Sequence, residues 1–412
     1  MESEIYDLDG EMSNFAKIWL LVFLSLTYCY VTAKFTHICF LRFLAFIPVI
    51  CLFLILPLYL HSIHLGGTTA FFIAWLANFK ILLLTFRRGP LVDHSLSLPQ
   101  FVALGSFPIK TRQTPPPNTQ NLRSPSSKNG HFKQHSDSMN GTQNLHNSSS
   151  TNGHFQKPQA TTEEPVNYRV RDNSGSKSIS RKSQKSLWTY AVKGLLVGVF
   201  VRVYEYSAQI HPKILLAIYC FHIYFMLEIM LATVAALARS TLGMELEPQF
   251  DKPYLSTSLQ DFWGRRWNIM VTRILRPTVY DPVLNLASRV MGRKWAPLPA
   301  AFAKFVVSGI MHEIIFYYLG RVRPTWEVTW FFLLHGASLM VEIAIKKLVT
   351  GKCRLPRLLS TPLTVGFVMT TGFRLFFPQL LRFDAVDRAV HECDTLVAFV
   401  QRAASRLLRL EN

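Results

Sequence analysis

Apolar residues in this chain gather into long blocks instead of recurring every third or fourth position. The blocks run for about 17 to 25 residues, the length at which a helix crosses ~30 Å of hydrocarbon. They predict spans near Phe15–Ala33, Leu41–Leu60, Thr68–Phe86, Leu187–Val203, Ile214–Ala238, Ala300–Leu319, Trp326–Ile345 and Thr361–Phe377. The expected fold class is therefore all-α, a multi-pass membrane protein with about eight transmembrane helices. The residues ahead of the first block, MESEIYDLDGE, are acidic where a cleaved signal peptide needs positive charge, so that block is read as a retained anchor.

One segment breaks the pattern. Residues 108–186 are rich in Ser, Asn, Gln, Pro and Lys and nearly empty of aliphatic side chains, too polar to offset the entropy of ordering, and are expected to be a disordered basic linker. An imperfect repeat inside it, TQNLRSPSSKNGHF (Thr119–Phe132) and TQNLHNSSSTNGHF (Thr142–Phe155), carries no core-forming pattern and reads as a duplication in a tolerant loop. The chain thus divides into N-terminal spans (1–107), the linker (108–186), a main block of spans with an interfacial helix (187–380), and an amphipathic tail (381–412).

Charge adds orientation. The net charge of +19 could suggest a nucleic-acid partner, but much of it lies in the linker, where contact with anionic lipid headgroups is the simpler reading and nucleic acid is not expected. Lys and Arg cluster after spans one, three, five and seven, which places those loops in the cytosol and the N-terminus in the lumen. Arg321, Arg323 and the basic tail (Arg402, Arg406, Arg409) run against this scheme. Asn140-Gly-Thr and Asn147-Ser-Ser would be glycosylated only if the linker were luminal. Six scattered cysteines without CxxC spacing predict free thiols, with neither a disulfide framework nor a metal site.

The candidate chemistry lies in polar residues inside the spans: His222 and Glu228, His312 and Glu313, His335 and Glu342. Each is costly at bilayer depth and needs a partner or a wet cavity, and together they suggest one shared polar chamber. Two readings stay open for each, helix pairing or chemistry. His312 in SGIMHEIIFYYLG has small neighbours, Ser308 and Gly309, and a neutral imidazole in a dry pocket suits a general base. Glu313 lies about 100° round the helix from it, placed to tune a polar network but not to touch the same atom.

A second stretch, Glu247–Asn268, reads EPQFDKPYLSTSLQDFWGRRWN. Ser258 with Asp261 forms a capping box and Pro277 ends the pattern, predicting a helix over Leu259–Leu275 with one apolar stripe (including Phe262, Trp263, Trp267 and Met270) and Gln260, Arg265, Arg266, Asn268 and Arg273 elsewhere. That pattern predicts an interfacial helix whose arginines grip either phosphates or anionic lipids.

PYLSTSLQDFWGRRWN, then SGIMHE, resembles the signature pair of the membrane-bound O-acyltransferase superfamily. IAWLANFKILLLTFRRGPL (Ile73–Leu91) and WFFLLHG (Trp330–Gly336) are similar to its plant wax synthase-like branch, which includes long-chain-alcohol and sterol acyltransferases. The resemblance covers nearly the whole chain except the linker. It implies a helical fold enclosing an intramembrane reaction chamber, a catalytic histidine at His312 and a functional asparagine at Asn268. It also implies an endoplasmic reticulum location, acyl-CoA as co-substrate, no cofactor, and a sterol or long-chain fatty alcohol as acceptor. FWGRRWN departs from the FYxDWWN form of the animal sterol and diacylglycerol enzymes at Arg265 and Arg266, which puts the hydrogen bonds of Asn268 in doubt. In this reading His312 is the base, Asn268 orients the acceptor or stabilises the oxyanion, and Trp263, Arg265, Arg266, Trp267, Arg273, Glu313 and His335 contact substrate. Acyl transfer to a glycerolipid or a protein is the alternative. A proton-coupled transporter, which would predict internal repeats across the spans, is a further one.

Overall fold

The computed structural model describes residues 8–93, 95–108, 177–242, 249–349 and 356–410. Residues 109–176, which hold the repeat, Asn140 and Asn147, lie outside them, as do Cys353 and the side chains of Arg402, Arg406 and Arg409; the last residues of the expected disordered linker, 177–186, are instead helical. Residues 1–112 and 187–412 form one compact unit; of the other, 113–186, only the first turns of a helix are described.

Among the described residues the secondary structure is helical, with no strand. The chain enters through α1 (Leu8–Phe35) and α2 (Cys39–Ile55), antiparallel neighbours. It then continues through α3 (Ile63–Thr69), a π-helical stretch at Ala70–Ala77, and α4 (Asn78–Thr85) as one unbroken rod. That rod is the most enclosed of the spans, with Ala70 and Phe72 through Ala77 all buried, because α1, α2, α5 (Leu98–Ser106) and α11 (Pro297–Gly320) surround it. Gly105 of α5 lets that helix close on Leu26 of α1.

Next come α6 (Lys177–Tyr204) and α7 (Pro212–Leu242), then a broken helical region built of α8 (Leu259–Asp261), a π-helical turn at Phe262–Arg266, α9 (Ile269–Leu275) and α10 (Asp281–Trp295). The central pair is α11 (Pro297–Gly320) and α12 (Glu327–Leu348), the most extensively packed helices of the protein. Small residues let them approach: a Cβ on Gly309 would stand 3.2 Å from Thr329 Cα, and one on Gly336 2.9 Å from Phe305 Cβ. The chain closes with α13 (Arg357–Thr371), α14 (Phe377–Leu381) and the amphipathic α15 (Ala385–Leu410).

Six described helices are long and apolar enough to cross a membrane: Gly10–Phe35, Cys39–Tyr59, Ile63–Thr85, Pro212–Thr241, Pro297–Gly320 and Glu327–Leu348. The expected fourth and eighth spans are helical but fall outside this set. The fourth carries Lys193, ion-paired with Glu228 of α7, and the eighth is interrupted by a π-helical turn at Gly372–Phe376.

The predicted interfacial helix over 259–275 does not form as one element. Its start is as expected, since Ser258 Oγ accepts from Asp261 N at 3.1 Å. Trp267 is then extended, and Asn268 adopts a left-handed φ of 40°, a conformation asparagine tolerates better than most residues. A preceding loop takes the backbone groups this break releases: Ile269 N donates to Gln249 O, and Met270 N to Gln249 Oε1. The apolar stripe of Phe262, Met270, Val271, Ile274 and Leu275 is buried in the protein, not in lipid.

Two cations anchor the bundle without carboxylates. Arg42 donates to the carbonyls of Leu84, Ala33 and Thr36, and the buried Lys80 Nζ donates to Leu104 O and Phe107 O, both at 2.6 Å. Each sits on helix C-terminal carbonyls, where a positive charge is favoured. Arg321, misplaced under the positive-inside scheme, has a comparable task, reaching the carbonyls of Pro57, Leu58 and Leu60.

Candidate active site

His312 stands midway along α11 and is half-buried. Its Nδ1 is 2.7 Å from Ser308 O, one turn back. A carbonyl only accepts, so Nδ1 carries the proton and Nε2 keeps its lone pair. Aromatic rings wall the imidazole on three sides: Phe332 of α12 at 4.4 Å between centroids, Trp75 of the Ala70–Ala77 π-helix at 5.1 Å and edge-on, and Phe376 at 5.8 Å. The result is an oriented imidazole, its acceptor nitrogen unblocked, in an apolar setting.

His335 is organised differently. It is fully buried and bonded at both nitrogens: Trp263 Nε1 donates to Nδ1 at 3.0 Å, and Nε2 lies 2.8 Å from Thr371 Oγ1. Indole N–H can only donate, so Nε2 holds the proton and gives it to Thr371, whose hydroxyl donates on to Phe367 O at 2.8 Å. This relay ties the broken helical region to α12 and α13. It leaves His335 no lone pair for substrate and turns Trp263 inward, away from headgroups.

The other intramembrane polar residues do not share one chamber. Glu313 is buried, and its Oε1 accepts from Thr329 N (3.1 Å) and Oγ1 (3.3 Å), capping the start of α12. Glu342 accepts from Leu259 N at 2.8 Å and holds α8. Tyr204 Oη is 2.8 Å from His222 Nδ1, joining α6 to α7. In a bundle with no water at depth, each buried carboxylate or imidazole goes to the nearest exposed helix end or partner helix.

In the tryptophan-rich stretch, Asn268 Oδ1 caps α9, accepting from Val271 N at 3.4 Å, and no recorded hydrogen bond joins it to His312. Arg266 is engaged by Asp261 Oδ2 at 2.8 Å and by the carbonyls of Asp251 and Lys252. Arg265 and Arg273 are exposed. Trp267 stacks on Phe262 at 5.5 Å. The structure therefore connects Trp263 with His335, surrounds His312 with rings, and keeps Arg266 and Glu313 in capping or loop-holding bonds. Trp75 was missed because a tryptophan in an apolar run carries no signal apart from its place in the stretch Ile73–Leu91.

A bundle of apolar helices around an enclosed rod and an oriented imidazole defines a polytopic helical membrane protein with a candidate intramembrane acid–base site. Residues 246–334, which hold both the broken helical region and His312, match the Membrane bound O-acyl transferase family. The chain is 42% identical over 398 residues to Acyl-CoA--sterol O-acyltransferase 1 of Arabidopsis thaliana, covering 96% of this chain and 99% of that protein. It is 38% identical over 403 residues to the Long-chain-alcohol O-fatty-acyltransferase of Simmondsia chinensis (98% and 99%), and 36% over 403 residues to Probable long-chain-alcohol O-fatty-acyltransferase 3 of Arabidopsis thaliana (97% and 99%). The chain belongs to the membrane-bound O-acyltransferase family.

Proposed function

We propose that this protein is an acyl-CoA-dependent O-acyltransferase that esterifies a lipid alcohol in the plane of the membrane, with a sterol as first candidate acceptor and a long-chain fatty alcohol as second. Its place is the endoplasmic reticulum membrane, and it uses no metal or cofactor. The observation that carries this reading is the tautomer of His312: Nδ1 bonded to Ser308 O, Nε2 unblocked among aromatic rings.

In the reaction Nε2 accepts the proton of the alcohol as its oxygen attacks the thioester carbonyl carbon. Collapse of the tetrahedral intermediate breaks the carbon–sulfur bond. The imidazolium then returns its proton to the departing CoA thiolate, so ester and free CoA thiol leave and His312 is regenerated. The apolar setting excludes the water that would hydrolyse the donor. CoA phosphates stay on the cytosolic side near the exposed Arg265 and Arg273 while the acyl chain enters the apolar interior.

The test is expression in a host stripped of its own sterol-ester and wax-ester synthesis, followed by neutral-lipid analysis. Wild type restores one ester class, and His312→Ala restores neither. Full activity in His312→Ala would refute the base, and acyl transfer only to glycerolipid or protein would refute the acceptor class.

A further inference from the structure

One buried donor near His312 has no partner among the described residues. Trp75 is only 2% exposed, its ring meets the imidazole edge-on at 5.1 Å, and its Nε1–H finds no acceptor among them. Buried indole N–H groups ordinarily find one, and leaving a donor unmade costs free energy. The other indoles of the core illustrate the rule: Trp19 donates to Thr69 Oγ1 and Trp263 to His335.

Trp75 also sits in an eight-residue π-helix, Ala70–Ala77, in the most enclosed span. The wider turn re-aims side chains relative to an α-helix, and such stretches are frequent at functional sites. Phe71, Phe332 and Phe376, the rings around Trp75 and His312, offer no oxygen or nitrogen acceptor.

We propose that Trp75 Nε1–H is the hydrogen-bond donor for the carbonyl oxygen of the acyl thioester, and that it stabilises the oxyanion formed when the alcohol attacks. This rests on the reading of His312 as the base. The donor is fixed beforehand in an apolar wall, so it need not reorganise as charge develops, the condition under which one such bond contributes most. In this reading the unused N–H is the donor that the thioester carbonyl takes up.

The test uses full-length protein reconstituted in liposomes, assayed with palmitoyl-CoA and cholesterol or octadecanol. Trp75→Phe keeps a ring and deletes the donor; a second variant places benzothienylalanine at 75, the isosteric ring with sulfur for N–H. Both should lose on the order of 10²–10³-fold in kcat with KM for palmitoyl-CoA nearly unchanged; the isosteric variant should melt no lower than wild type, because an unsatisfied donor has been removed, while Trp75→Phe melts somewhat lower because the smaller ring leaves a cavity. Unchanged kcat, a loss confined to KM, or unfolding of both variants would overturn the proposal. Full activity in His312→Ala would instead overturn the base assignment beneath it, so the two failures are told apart.

Discussion

Gly336→Ala tests the contact that sets the position of α11, the helix that carries His312. The added Cβ would lie 2.9 Å from both Phe305 Cβ and Phe302 Cδ2 of α11, and 3.2 Å from Phe305 Cγ, where carbon atoms prefer ~3.5–4.0 Å. Phe305 Cβ is held by the backbone, so rotating a side chain cannot relieve the clash and α11 itself must move by several tenths of an ångström. Overpacking of this kind costs about 1–3 kcal/mol. Alanine recovers up to ~1 kcal/mol of helix propensity, leaving a net destabilisation of about 1 kcal/mol. The effect on catalysis should be larger, since His312 lies two turns beyond Phe305 and small misplacements of a reacting group are costly; we expect an activity loss of about tenfold. Gly366→Ala is the control, because a Cβ there meets nothing within 4 Å, and it should be neutral or stabilising. Thermal melting in detergent and ester formation in microsomes report the two effects. If Gly336→Ala matched wild type in both, the close packing of α11 on α12 would not govern the site.

Trp263→Phe removes the donor to His335 Nδ1, leaving a buried acceptor unmet; a loss of about 1–3 kcal/mol in stability is expected in thermal unfolding, with the pH profile of activity unmoved. Glu392 of α15 accepts from Ser62 Oγ, Ile63 N, His64 N and His64 Nδ1. Burial alone would raise its pKa, but these bonds together hold it below the ordinary 4.5. A depressed carboxyl stabilises the fold above its unfolded pKa and loses that contribution as pH falls through the folded value. The melting difference between wild type and Glu392→Gln should therefore be full at neutral pH and shrink below pH 4.5. Asn140 and Asn147 should remain unglycosylated, read as no mobility shift on glycosidase treatment; a shift would place the linker in the lumen.

The membrane class and the all-helical fold were legible in the sequence because block length is a local signal, and His312 stood out there as an isolated imidazole in an apolar run. The family resemblance rested on short motifs that are likewise contiguous. Partnership was not legible. Nothing along the chain says that Glu313 turns to Thr329, that Glu342 holds α8, or that His335 is locked between Trp263 and Thr371. Those outcomes depend on which helix ends meet at depth, and an ion or amide without water bonds whatever polar group packing brings to it. The helix predicted over 259–275 failed for a similar reason, since its periodicity was genuine but a loop from Gln249 offered its backbone a better set of bonds. Trp75 is the extreme case: one apolar letter in an apolar run, given meaning only by a π-helical turn and the histidine that tertiary packing sets against it.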